Sequence, residues 1–309
     1  MAVTQDRLHP VVRAIVEQIA ARPRYSSMTP AQARGVPVPL AAAPEAVESV
    51  IAQSIIGPGG PLALRIYRPQ NASGAALVYF HGGGWVIGSI DEADEPCRAL
   101  ANRGRCVVVS VDYRLAPEAK FPGPVEDAYA AVRWVADHAA ELGIDAARVA
   151  VGGSSAGANL AAAAALVARD RRGPTVAFQL LTVPVTDLRY GAASHDEFAT
   201  GFGLTRADME WYAEHYIRTP ADLDDPYASV LRADLRGMPP ALVITAECDP
   251  LRDDGEAYAA KLREVGISAT AKRYRGMFHG FMAFPNLLAE AAQAYDDAGA
   301  ALRGALGGG

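Results

Sequence analysis

The sequence predicts an α/β protein with a mostly parallel central sheet and helices on both faces. Three observations predict it. From residue 76 onward, short apolar runs rich in Val and Ile alternate with segments of helical period. The runs are apolar at nearly every position, as in strands covered on both faces, and not at every second one. Glycine-rich turns follow two of them, and an open parallel sheet binds its ligands beyond the carboxyl ends of its strands.

The elements follow in chain order. Residues 1–45 have a helical pattern punctuated by prolines and end in the loop GVPVPLAAAP (35–44). ESVIAQSII, the turn GPGGP and LALRIYRP then read as a β-hairpin. Strands are expected at ALVYF (76–80), CVVVSVDY (106–113), RVAVGG (148–153), FQLLTVPV (178–185), ALVITAE (241–247) and SATAKRYR (268–275). EDAYAAVRWVADHAAEL and DDGEAYAAKLREVG have the period of amphipathic helices between them. Residues 186–235 break the rhythm, holding aromatics and acids without a strand. With the N-terminal helices they are expected to form a small separate layer.

Composition narrows the function. The 309 residues are half apolar, enough for one large core. A net charge of -6 gives no electrostatic reason for binding nucleic acid or an anionic membrane. Cys97, Cys106 and Cys248 are odd in number and scattered, so neither a disulfide framework nor a metal site is expected. The N-terminal stretch MAVTQDRLHPVVRAIVEQIAARPR reads as an amphipathic helix and not as a signal peptide. LAAAAALVA, the most apolar run, is about half of what a membrane span requires. A cytoplasmic protein is the expectation.

The chemistry concentrates in VAVGGSSAGANL (149–160). Gly153-Ser154-Ser155-Ala156-Gly157 fits G-x-S-x-G, in which glycines two residues either side of the serine leave room for a sharp strand-to-helix turn. Registered on Ser154, the pattern would put Ala156 where glycine is wanted, so Ser155 is the candidate nucleophile. YFHGGGW (79–85) supplies a second signal, because three consecutive glycines expose backbone N–H groups. Those of Gly83 and Gly84 can converge with that of Ala156 on one developing oxyanion. A phosphate cradle is the rival reading, but the Walker Lys-Ser/Thr and G-x-G-x-x-G are both missing. An acid and then a base should follow such a serine. Asp249 directly follows the strand ALVITAEC, whereas Asp253 and Asp254 suit a helix start. His279 in GMFHGF follows the last strand. His195 and His215 fall in the strandless stretch and are expected to be solvated, and His81 to brace the glycine loop.

Together, HGGGW, DYRLAPEAKFPGPVEDAY (112–129), GSSAG, DPL and HGF resemble the bacterial hormone-sensitive-lipase-like esterases, a branch of the α/β-hydrolase fold. The resemblance implies an α/β-hydrolase domain over 46–185 and 236–309, with a small helical cap from 1–45 and 186–235. It implies Ser155, Asp249 and His279 as catalytic triad, Gly83, Gly84 and Ala156 as oxyanion donors, and carboxylesters of small acids as substrates with no cofactor and no metal. Many members carry an acid before the nucleophile, where this chain has Ser154. Asp112, Arg114 and Glu118 are expected to buttress the oxyanion loop by ion pairing.

The expected function is hydrolysis of short- to medium-chain esters, optimal around four to eight carbons by that resemblance. An amidase or deacetylase is the nearest alternative, since the same site could attack amides. The gibberellin receptor shares the architecture as a non-catalytic binder, and such receptors typically lose the base that His279 would supply. Trp85, Phe202 and Tyr212, with Phe198 and Trp211, are expected to wall the acyl site. The strand 268–275 is expected at the sheet edge, pairing with its copy in a homodimer.

Overall fold

A computed structural model describes residues 5–37 and 44–307. The loop expected at 35–44 therefore lies partly outside the described residues, as does the start of the N-terminal segment. Two helices open the chain, α1 (Pro10–Ala20) and α2 (Pro30–Arg34). Both begin at a proline, whose fixed φ suits a first turn and whose missing N–H costs nothing there. Thr29 and Gln32 close a capping box on α2, and α1 buries Val12 and Val16, four residues apart on one face.

The strands are β1 (Ser49–Gly57), β2 (Gly60–Arg68), β3 (Ala76–Phe80), β4 (Val107–Val111), β5 (Val149–Ser154), β6 (Phe178–Thr182), β7 (Ala241–Cys248) and β8 (Ala269–Phe278). They form one sheet in the order β1-β2-β4-β3-β5-β6-β7-β8. The hairpin β1–β2 is antiparallel and β2 meets β4 antiparallel, while every later pairing is parallel.

Six further helices accompany the sheet from β3 onward in chain order, followed by a last one at the C-terminus. They are α3 (Asp94–Gly104), α4 (Gly123–Asp137), α5 (Ala156–Asp170), α6 (Ala193–Glu197), α7 (Arg206–Tyr216), α8 (Arg252–Glu264) and α9 (Ala289–Leu306). Because the strands are covered on both faces, alternate residues serve two cores. Val78 and Phe80 of β3 belong to the core that α4, α5 and α8 share, whereas Leu77 and Tyr79 belong to the one that α1, α3 and α9 share. This is why those runs are apolar throughout. Residues 186–235 contain α6, α7 and short 3₁₀ turns but no strand, and the turn Tyr25–Ser27 packs on α7. No helix among the described residues is long and apolar enough to cross a membrane.

Register positions the site. Strand β3 sits between β4 and β5, with Phe80 opposite Gly153, so the loops leaving β3 and β5 emerge side by side. At the far end of the sheet Cys248 pairs with Phe278 across an irregularity after Ala246. Asp249 and His279 are the next residues of those two strands, and they leave the sheet together.

Candidate active site

Ser155 stands between β5 and α5 at φ 55°, ψ −118°, a backbone conformation that L-residues rarely hold. A surrounding without Cβ atoms permits it. A methyl group at Gly153 would lie 2.5 Å from the Gly157 carbonyl group and from Phe80 O, and one at Gly157 would overlap the Phe80 and His81 carbonyls. The Ser155 N–H donates to Thr182 O (2.9 Å), tying the turn to β6.

The Ser155 Oγ lies 3.0 Å from His279 Nε2, and His279 Nδ1 lies 2.9 Å from Asp249 Oδ2. Asp249 is fully buried and its other oxygen accepts the Leu251 N–H (2.9 Å). The His279 side chain keeps 17% of its surface exposed, so the imidazole bridges a sealed carboxylate and an open cavity. Beside Ser155, the N–H groups of Gly83, Gly84 and Ala156 donate to no described protein acceptor. They are free to meet a ligand oxygen.

The glycine loop is braced from below. His81 is buried, stacks on Tyr113 with centroids 4.3 Å apart, and its Nδ1 lies 2.7 Å from Gly82 O. Burial lowers its pKa to about 4, so the ring is a neutral strut. The motif at 112–129 acts differently from the ion pairing expected within it. Arg114 grips Asp127 through two bonds of 2.8 Å, and Glu118 pairs with Arg34 of α2. Arg34 also donates to Val86 O (2.8 Å), so the link from Glu118 to the oxyanion loop runs through the N-terminal segment. Asp112 takes a backbone bond from Ile90, and burial raises its pKa.

The other histidines are occupied elsewhere. His195, expected in solvent, is fully buried: Ala192 N–H donates to its Nδ1 (3.0 Å) and its Nε2 lies 2.9 Å from Asp254 Oδ1. That correction has a plain cause, since Asp254 in the first turn of α8 is also buried and needs a partner. His215 sits half-buried with Nδ1 2.8 Å from Trp211 O. Neither lines the cavity over Ser155.

A cavity of about 460 Å³ opens over Ser155 and His279. Of the aromatics expected along it, Trp85 and Tyr212 line it. Trp85 is held flat against Tyr216, centroids 4.2 Å apart at 5°, and the Tyr212 ring covers the face of Gly84. Phe202 does not line it, and neither do Phe198 and Trp211. Phe202 is buried edge-on against Phe198, whose ring the Arg7 and Arg252 guanidiniums cover, so this pair is core and not wall. Sequence reading missed Tyr25, Glu92, Tyr190 and Asp208, which line the cavity from four separate segments. Only the glycines and the serine carried a local signal. Among the described residues no three His, Cys, Asp or Glu side chains are grouped to hold a metal ion.

A strand-to-helix serine, a histidine and carboxylate from the last two strands and a glycine loop beside them define a hydrolase of the α/β-hydrolase class. The model of a family described as alpha/beta hydrolase fold matches residues 77–283. The chain belongs to that family, in its hormone-sensitive-lipase-like esterase branch, and is a carboxylic ester hydrolase. Among particular relatives, it is 44% identical over 237 residues to carboxylic ester hydrolase LipN of Mycobacterium tuberculosis, covering 74% of this chain and 63% of that one. It is 44% identical over 227 residues to an arylesterase of Saccharolobus solfataricus, covering 72% of this chain and 74% of that protein. A hyperthermophilic esterase from the archaeon Pyrobaculum calidifontis superposes with a TM-score of 0.89 at 42% identity, over 96% of this chain and 98% of its own.

Proposed function

We propose that the chain hydrolyses short- to medium-chain carboxylic esters through an acyl-enzyme on Ser155. The observation that carries this is the line Ser155 Oγ, His279 Nε2, Nδ1, Asp249 Oδ2, with spacings of 3.0 and 2.9 Å, at the floor of the cavity. A buried carboxylate that accepts the Nδ1 proton leaves Nε2 free to take the serine proton. The Ser155 oxygen attacks the ester carbonyl. The N–H groups of Gly83, Gly84 and Ala156 hold the oxyanion, each such donor being worth roughly 10²–10³ in rate. His279 then protonates the departing alcohol, and water repeats the sequence on the acyl-enzyme.

The enclosing wall supports a limit on acyl length. The described residues of 1–45, together with 186–235, act as a cap: Tyr25 and the α7 residues Met209 and Tyr212 line the cavity, and the Tyr212 ring lies over Gly84 of the glycine loop. Each methylene buried there contributes about 0.8 kcal/mol until the space is full, after which overpacking reverses the gain. The test is kcat/KM for p-nitrophenyl esters from acetate to palmitate. An optimum around four to eight carbons, lost in Ser155→Ala, is expected. Efficient turnover of palmitate would reject the closed pocket.

A further inference from the structure

Four charged side chains line the cavity: Arg22, Arg24, Glu92 and Asp208. Two of them are committed to each other. Arg24 Nε stands 3.9 Å from Asp208 Oδ2, and Asp208 also accepts from the Ser26 N–H (3.0 Å) and the Thr205 hydroxyl (2.6 Å). Arg22 is exposed and unpaired among the described residues; Glu92 is the unpaired anion, its carboxylate forming no ion pair and no side-chain hydrogen bond with any described residue. Only its backbone N–H is engaged, with Ser89 Oγ. Its neighbour Asp91 already holds Arg65 at 2.6 Å.

The free carboxylate shares its cavity with two aromatic rings. Tyr25 and Tyr212 both line the cavity, with centroids 6.0 Å apart and planes tilted by 45°. After burial, the largest influence raising the Tyr25 pKa is Glu92; the exposed Arg22 opposes it less strongly, and Asp208 adds to it. At Tyr212, burial is followed by Tyr25, Asp208 and Glu92, all acting in the same direction, with no cation among the causes. Glu92 itself is open to solvent at the cavity mouth, yet the surrounding walls and then Asp91 hold its carboxyl above its usual range. An unpaired carboxylate and two aromatic rings lining one cavity are the chemistry that recognises an alkylammonium group, through charge and through cation–π attraction together.

We propose that Glu92, Tyr25 and Tyr212 form a subsite for an alkylammonium group, so that the chain prefers carboxylic esters carrying a cation. This rests on the esterase reading above. The Tyr212 ring covers Gly84 of the proposed oxyanion loop, which makes the subsite continuous with the place where the ester carbonyl would sit.

Two pairs of isosteres test it, each pair differing by one charge at constant shape. Butyrylcholine is set against 3,3-dimethylbutyl butyrate. The p-nitrophenyl ester of 4-(trimethylammonio)butyrate is set against that of 5,5-dimethylhexanoate. The readout is the ratio of kcat/KM within a pair, measured on one sample, so the folded fraction of a variant cancels. In the wild type the cationic member of at least one pair should be favoured by about tenfold. The ratio should fall several-fold in Glu92→Gln and further in Glu92→Lys. A wild-type ratio of one or less in both pairs overturns the subsite, as does a preference undiminished in Glu92→Gln. Those outcomes leave ester hydrolysis standing. If neither neutral ester is turned over, the esterase reading fails and the subsite with it.

Discussion

Replacing Gly153 by alanine tests whether the elbow and the oxyanion loop form one rigid unit. The added methyl would lie 2.5 Å from three backbone atoms, Gly157 C, Gly157 O and Phe80 O. Carbon–carbon packing begins near 3.5 Å, so the gap must widen by roughly an ångström, and no flexible side chain is present to yield. What moves is either the first turn of α5 behind Ser155 or the end of β3 ahead of the glycine loop. Overpacking of this kind costs about 1–3 kcal/mol. A displacement near 1 Å at a catalytic site costs on the order of 10²-fold in rate. Gly153→Ala should therefore lower kcat/KM on p-nitrophenyl butyrate by about 10- to 100-fold and lower the melting temperature by several degrees. Gly304→Ala is the control. It lies inside α9, where a methyl group meets nothing within 4 Å, so activity should be unchanged and stability should rise by about 0.5–1 kcal/mol. Wild-type kcat/KM and melting temperature in Gly153→Ala would refute the rigid unit.

Three further outcomes are expected. His279→Ala should lose about 10⁴-fold or more in kcat and Asp249→Asn about 10³–10⁴-fold, because triad members act together; an active His279→Ala beside an inactive His195→Ala would reassign the base. Burial holds His81 at about 4 against 6.5 for an ordinary histidine. Between those values the unfolded chain binds the extra proton, so stability falls as pH falls, by about 2 kcal/mol from pH 7 to pH 5. Urea unfolding at both pH values should show that difference shrinking in His81→Asn, and an unchanged difference would contradict it. Strand β8 ends the sheet with an open edge, although Lys272 and Arg273 are paired with Asp297 and Glu256. We propose that it pairs with its copy across a two-fold axis. Light scattering at micromolar concentration should give a dimer mass, and a monomer mass would remove the idea.

The fold was legible in the sequence where burial on two faces forces a continuous apolar run, as in β3, whose bounds coincide with ALVYF. The elbow was legible because its requirement for missing Cβ atoms is met within five residues. The cavity wall was not. Phe202 and Tyr212 are ten residues apart in one aromatic-rich segment, yet one packs into the core and the other onto Gly84, and only tertiary contacts separate them. His195 looked solvated because its partner Asp254 is 59 residues away. Arg114 met Asp127, nine residues beyond Glu118, the farther of the two acids considered with it. Glu92 carries no motif, and its interest arises only because no described cation forms an ion pair with it.

The central claim is that Ser155 carries the acyl group. Inactivating the protein with a p-nitrophenyl alkylphosphonate, followed by peptide mass mapping, tests this most directly. One adduct per chain on Ser155, absent from an inactive Ser155→Ala, is the expected result. An adduct on Ser154, with Ser155→Ala still hydrolysing esters, would contradict the account.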